Sequence, residues 1–134
     1  MPFVRISLRG NRSERERLSI GDSVHRAMVK AIGIPEGDRF QVITEHGAEL
    51  VYDPDYLQIH RTDGIIIIQI TLAAGRTLEK KRALYKIIAE FLVAEHGVRP
   101  EDVFINLVET SMENWSFGNG ICQYADTPPP HLAK

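Results

Sequence analysis

Apolar and polar side chains alternate along Phe3-Val4-Arg5-Ile6-Ser7-Leu8, the pattern of a strand with one buried face. Past Ser13 the period changes. Leu18, Ile20, Val24, Ala27, Met28 and Ile32 recur at helical spacing. Ser13 is suited to cap this helix, with Glu14 and Glu16 near the positive end of its dipole. Gly33 closes the helix and Pro35 prevents its resumption, and a second strand is expected at about Phe40–Thr44. The cycle then repeats: a strand over Ile65–Leu72, a helix from about Leu78 to His96 capped by Thr77 and ended by Gly97 and Pro100, and a strand over Val103–Val108.

The two cycles align at a constant offset of 64 without an insertion over about forty positions. Phe3 to Leu8 falls on Ile67 to Leu72, Asn11-Arg12-Ser13 on Gly75-Arg76-Thr77, and Ile20, Val24, Ala27 and Met28 on Leu84, Ile88, Phe91 and Leu92. Gly33, Asp38 and Phe40 fall on Gly97, Asp102 and Phe104. Two copies of a long period point to a duplicated β-α-β unit rather than a solenoid. A crossover helix makes the two strands of each unit parallel. The expected fold is therefore α/β (α+β): a four-stranded sheet with two helices on one face, built from pseudo-repeats 2–45 and 65–109 in one domain spanning 1–134.

Five isoleucines in six positions over Ile65–Ile70 read as an interior strand covered on both faces. Residues 46–63 form an irregular excursion between the halves, with room for a short 3₁₀ turn or strand piece. A C-terminal arm, 114–134, contains Gly118, Gly120 and Tyr124 and suggests a short hairpin, which Thr127-Pro-Pro-Pro130 would end. With both helices on one side, the other face of the sheet is expected to be apolar and uncovered, so the protomer should self-associate through it and through the arm.

Composition narrows the partners. The chain has 134 residues, 43% hydrophobic and 25% charged, which suits one compact core. A net charge of −2 gives no electrostatic reason to expect nucleic acid or an anionic membrane. Ile65–Ile68 is too short an apolar run to cross a bilayer, and no signal-peptide core precedes the first strand. Cys122 is the only cysteine, so no internal disulfide forms and a reducing, cytoplasmic setting is expected.

Pro2 carries the candidate chemistry. Trimming of Met1 ahead of a small residue would leave a secondary amine held at the start of a strand. An α-amino group titrates at about 7.7–8.0, so modest desolvation or a nearby cation brings it to neutral pH as a base or nucleophile. Other constellations fail. His25, His46, His60, His96 and His131 lack metal-ligand spacing, and His25 reads as a residue on a helix face. Ser116 lies in no nucleophile elbow, Cys122 reads as packing, and Glu79-Lys80-Lys81-Arg82 reads as a solvated helix face.

With Pro2, the runs Pro35-Glu-Gly-Asp38-Arg39-Phe40-Gln41, Gly75-Arg76-Thr77 and Asn114-Trp115-Ser116-Phe117-Gly118-Asn119-Gly120 give the chain its resemblance to the tautomerase superfamily, in particular the malonate semialdehyde decarboxylase-like group. The resemblance implies homotrimers of doubled β-α-β protomers that use no cofactor or metal and catalyse with the amino-terminal proline on small carboxylates. It implies keto–enol tautomerisation of a 2-oxo acid as the leading activity and decarboxylation or hydration of a three-carbon oxo acid as the alternative; a non-catalytic trimeric binding protein on the same scaffold is the reading of another class.

On that resemblance Pro2 is the base or, when cationic, the acid; Asp38 is the acid/base or water-activating carboxylate; and Arg76, one residue before the Thr77 cap, holds the substrate carboxylate. Read from the residues alone, Arg76 is equally a solvated arginine, and Asp38, like Asp102, a turn cap. Trp115 and Phe117 would wall the pocket or pack the arm against a neighbour, and Gln41 and Tyr124 would add polar contacts. The decarboxylase pattern has two arginines one residue apart at the start of the second helix, whereas Ala74-Gly75-Arg76 supplies one. A single carboxylate anchor favours the tautomerase reading.

Overall fold

In a computed structural model, which describes residues 2–127, the strands are β1 (Phe3–Arg9), β2 (Phe40–His46), β3 (Ile66–Ala73) and β4 (Val103–Thr110). The main helices are α1 (Glu14–Ile32) and α2 (Leu78–His96), and a one-turn α3 spans Gln123–Asp126. Met1 and residues 128–134, among them most of the expected Thr127–Pro130 terminator, lie outside the described residues.

Local chemistry sets the helix limits. Ser13 and Glu16 form a reciprocal capping box at the start of α1, and the Thr77 side chain accepts from the Lys80 N–H at the start of α2. Gly33 and Gly97 close the helices at φ 67° and 63°, in the left-handed region that costs an L side chain energy.

The sheet runs β2-β1-β3-β4. Pairing is parallel within each half (β1 with β2, β3 with β4) and antiparallel where β1 meets β3. That junction decides the geometry of the molecule. It brings the starts of β1 and β2 to the same end of the sheet as the ends of β3 and β4.

Alternation sorts the side chains. Val4, Ile6, Leu8, Ile66, Ile68, Ile70 and Leu72 bury beneath Ile20, Val24 and Met28 of α1 and Leu84, Ile88 and Leu92 of α2. At about 25 cal/mol per Å² of apolar surface this layer is the main source of stability. The opposite face reads across the strands in register as Phe40-Phe3-Thr71-Val108, Val42-Arg5-Gln69-Asn106 and Thr44-Ser7-Ile67-Phe104.

Three expectations are corrected. β3 is interior in strand order, yet only one of its faces is fully buried; Ile67, Gln69 and Thr71 are half-buried because neither α1 nor α2 packs on that side. The uncovered face is mixed rather than apolar, since register places Arg5, Gln69 and Asn106 in one polar row, with the Gln69 amide donating to Asn106 at 3.1 Å. The segment 115–127 holds no strand and thus no hairpin. Gly118, Asn119 and Gly120 take φ of 140°, 61° and 68°, a tight reversal with no extended partner, and Gln123 bonds the Phe117 N–H and Gly118 carbonyl where a ladder would have formed.

The excursion between the halves contains a 3₁₀ turn at Tyr56–Gln58. It is anchored by Arg61, whose guanidinium donates to the carbonyls of Asp53, Tyr56 and Ile59.

Candidate active site

The residues singled out in the sequence gather at the end of the sheet defined by the β1–β3 junction. Pro2 leads into β1, Asp38 stands two residues before β2, Arg76 follows β3, and Trp115 and Phe117 follow β4. Pro2 and Asp38 line one closely packed crevice together with His25, Met28, Phe40 and Gln41. Both Pro2 and Asp38 are buried. The Asp38 carboxylate lies within electrostatic reach of the Arg76 guanidinium and the Tyr124 hydroxyl.

Burial sets the charge states here. It pulls the Arg76 guanidinium below its ordinary value, with Asp38, Glu109 and Tyr124 acting in the opposite direction. Arg76 stays a cation over any working pH, tethered by a 3.1 Å bond from Nη1 to the Ala73 carbonyl. The Tyr124 phenol is pushed up to about 12, first by burial and then by Asp38, with Arg76 opposing. Tyr124 therefore offers this site a neutral O–H, not a charge.

An aromatic wall joins these groups to an open cleft of about 350 Å³ lined by Phe3, Phe40, Gln41, Val42, Trp115, Ser116 and Phe117. Trp115 and Phe117 stack at 5.5 Å, and Phe117 meets the edge of Tyr124 at 4.6 Å. The Trp115 indole donates to Thr110 Oγ1 at 2.9 Å, which pins the ring to the end of β4. Phe40 and Gln41 line both the cleft and the crevice, so the two spaces adjoin.

Gln41 is less free than its position suggests. Its amide nitrogen donates to the Gly21 carbonyl at 2.8 Å, and its oxygen accepts from Arg39 at 3.2 and 3.3 Å. A Cβ at residue 21 would lie 2.6 Å from that oxygen, so Gly21 is what lets β2 and α1 approach here. Phe3, Phe40 and Val42 line the cleft without any motif to mark them. Their even spacing around each strand start places them on the uncovered face, a signal readable only once the register is known. His25 lies on the buried face of α1, with Nε2 2.7 Å from the Glu36 carbonyl, at the rim of the Pro2 crevice.

The opposite end of the sheet is the pseudo-symmetric copy, and it is built differently. Asp102, the counterpart of Asp38, is fully committed: it accepts from the Thr62 N–H at 2.7 Å and the Thr62 hydroxyl at 2.6 Å. Arg12, the counterpart of Arg76, reaches the Gly64 carbonyl. Ile66 stands where the first half has Pro2, and the excursion runs through Ile65 directly into it.

The duplicated β-α-β protomer is a fold of tautomerases, and the chain belongs to the tautomerase family. Two family models, each described as tautomerase enzyme, match residues 38–118 and 2–52. A probable tautomerase of Bacillus subtilis, YusQ, is 49% identical over 92% of this chain and 98% of its own. A second from the same organism, YrdN, is 30% identical over 92% and 96%. Among solved structures, the FG41 malonate semialdehyde decarboxylase inhibited by 3-bromopropiolate superposes with a TM-score of 0.86 at 40% identity, over 92% of this chain and 94% of that one. A fused 4-OT solved as a symmetric trimer shares the fold at a TM-score of 0.74 and 20% identity, over 89% and 94%.

Proposed function

We propose that the protein interconverts the keto and enol forms of a 2-oxo acid, with Pro2, freed of Met1, as the base. The observation that carries this reading is the shared burial of Pro2 and Asp38 in one crevice, with Arg76 in the field of Asp38 and an apolar cleft alongside. Neutral Pro2 removes a proton from C3 of the keto acid, and the electron pair moves onto the C2 oxygen. Arg76 holds the C1 carboxylate, which fixes C3 against the amine. The O–H of Tyr124 and a proton returned from Pro2 are the two sources for completing the enol. Asp38 balances the positive charge that develops on Pro2. No cofactor takes part in this scheme.

The test is a pH–rate profile with phenylenolpyruvate on protein whose mass confirms loss of Met1. A rate that rises along a basic limb near neutral pH supports neutral Pro2; a rate that falls along that limb overturns it.

Decarboxylation of malonate semialdehyde is the second reading, favoured by the 40% identical decarboxylase. In that case Pro2 works as a cation and the rate falls as pH rises. We further propose that the protomer self-associates as a homotrimer. Phe104 and Val108 support self-association, since they stand exposed on the uncovered face of β4.

A further inference from the structure

We infer that His25 is a positioning residue: its imidazole holds the Pro35–Asp38 turn in the orientation that sets the Asp38 carboxylate beside Pro2. The inference rests on the role proposed above for Asp38 and extends it to the residue that places it.

The turn has one loose joint. The Asp38 N–H donates to the Pro35 carbonyl at 3.0 Å, which closes a turn with Glu36 and Gly37 at its centre. Its flanks are fixed, since Ile34 is buried in the core and Arg39 is ion-paired with Asp22 at 3.1 Å. Residues 35–37 are exposed, so water can serve the Glu36 carbonyl whichever way the central peptide points. Glycine at the third position of such a turn favours the flipped form, in which its φ is positive. Gly37 nevertheless does not take a positive φ.

His25 is what resists the flip. It is 7% exposed, and its Nε2 lies 2.7 Å from the Glu36 carbonyl. A carbonyl only accepts, so Nε2 carries the hydrogen. Turning the peptide over would strand that buried donor, which disfavours the flipped form by about five- to a hundredfold. The same ring lines the crevice with Pro2 and Asp38, so the bond that holds the turn adjoins the site.

The second half of the chain supplies the comparison. The Asp102 N–H closes the matching turn onto the Arg99 carbonyl at 2.9 Å. There Pro100 stands for Glu36 and Glu101 for Gly37, so the turn is stiff by itself. Proline fixes φ, and a third residue other than glycine resists the flip. The counterpart of His25 is Ala89, whose methyl group can donate to nothing. The histidine stands where a glycine loosens the turn, and is missing where the chain stiffens it.

The experiment measures isomerisation of phenylenolpyruvate by the full chain and, beside it, the Gly37 amide signal of ¹⁵N-glycine-labelled protein by NMR. On the proposed mechanism Asp38 acts on charge that develops on Pro2 during reaction, so its misplacement falls on kcat while Arg76 maintains KM. His25→Leu should lower kcat about tenfold with KM within about twofold, and should shift or broaden the Gly37 signal. His25→Gln, whose amide reaches the place of Nε2, should restore most of the loss. Gly37→Ala in the His25→Leu background should also raise kcat, by at least about threefold, because alanine resists positive φ and a Cβ there meets nothing within 4 Å. A histidine that merely fills space would not be relieved by a change in the turn. Unchanged kcat in His25→Leu, or a loss that Gly37→Ala does not relieve, overturns the inference. Should His25→Leu fail to fold, His25→Asn takes its place, since that amide stops at the position of Nδ1; equal kcat in the Asn and Gln variants then overturns it.

If the unsubstituted chain leaves phenylenolpyruvate untouched, the Gly37 signal separates the two ideas. A signal that moves in His25→Leu and returns in His25→Gln upholds the hold on the turn and sinks the tautomerase reading, whereas an unmoved signal sinks the inference as well.

Discussion

Trp115 donates its indole N–H to Thr110 Oγ1 at 2.9 Å, and the same hydroxyl lies 3.3 Å from the Leu72 carbonyl, so one threonine couples the aromatic wall to the β3–β4 pair. Thr110→Val keeps the shape and removes the acceptor. The expected result is a loss of about 1 kcal/mol in stability and a severalfold rise in KM for an apolar substrate. Denaturant unfolding and Trp115 emission check it. Unchanged emission would show that the bond does not orient the ring.

Pro2→Ala leaves a primary amine in a less constrained position. Loss of the base should lower kcat/KM by between about 10² and 10⁴ with the fold intact by circular dichroism. Full activity in this variant would exclude Pro2 as the base.

Arg76→Ala removes a charge-assisted contact worth roughly 1.5–3 kcal/mol, so KM should rise about ten- to a hundredfold with a smaller change in kcat. Arg76→Lys should recover part of the loss, since a lysine supplies charge without the paired donors. Steady-state kinetics on both variants decide whether Arg76 binds the carboxylate.

Asp38 and Asp102 are sequence counterparts to which the proposed mechanism gives different work. Asp102→Ala strands the buried N–H and hydroxyl of Thr62, which should cost about 1–3 kcal/mol while activity per folded molecule persists. Asp38→Asn should do the reverse, lowering kcat with little change in the unfolding midpoint. Paired denaturation and activity measurements would expose a shared structural role if both variants lost stability alike.

Acid should weaken a clamp between the helices. Glu95 accepts from Arg26 and from Ser23 Oγ, both at 2.5 Å, and the Arg26 bond first, then Ser23, holds its carboxyl down at about 2. A depressed carboxylate stabilises the fold above its unfolded value of about 4.3, and the contribution is lost as pH falls toward 2. Both side chains are more than a third exposed, so the effect should stay below about 1 kcal/mol. Glu95→Gln should narrow the gap between urea midpoints at pH 6 and pH 3; an unaltered gap would remove Glu95 from the acid response.

Much of this was legible in the residues. The change of period at Ser13 and Thr77, with glycines at 33 and 97, marks each β-α-β unit because caps and periodicity are local. The arm departs from the expected hairpin because Gly118 and Gly120 signal a reversal but not what pairs across it, and Gln123 supplies that partner through its side chain. The polar row of Arg5, Gln69 and Asn106 depends on register, which alternation within one strand does not fix. The nearness of Arg76 to Asp38 depends on the antiparallel β1–β3 junction, a long-range pairing that a tandem repeat leaves open.

The antiparallel junction also sets a stoichiometry. Each strand pair ends in a similar frame, yet Ile66 is peptide-bonded on both sides and Asp102 is locked onto Thr62. Only the Pro2 end could present a titratable amine at a sheet end, so on the proposed mechanism a substrate-like inactivator that needs that amine would stop at one equivalent per chain. On that mechanism, doubling the scaffold turned one of its two ends into a joint and left the other to react.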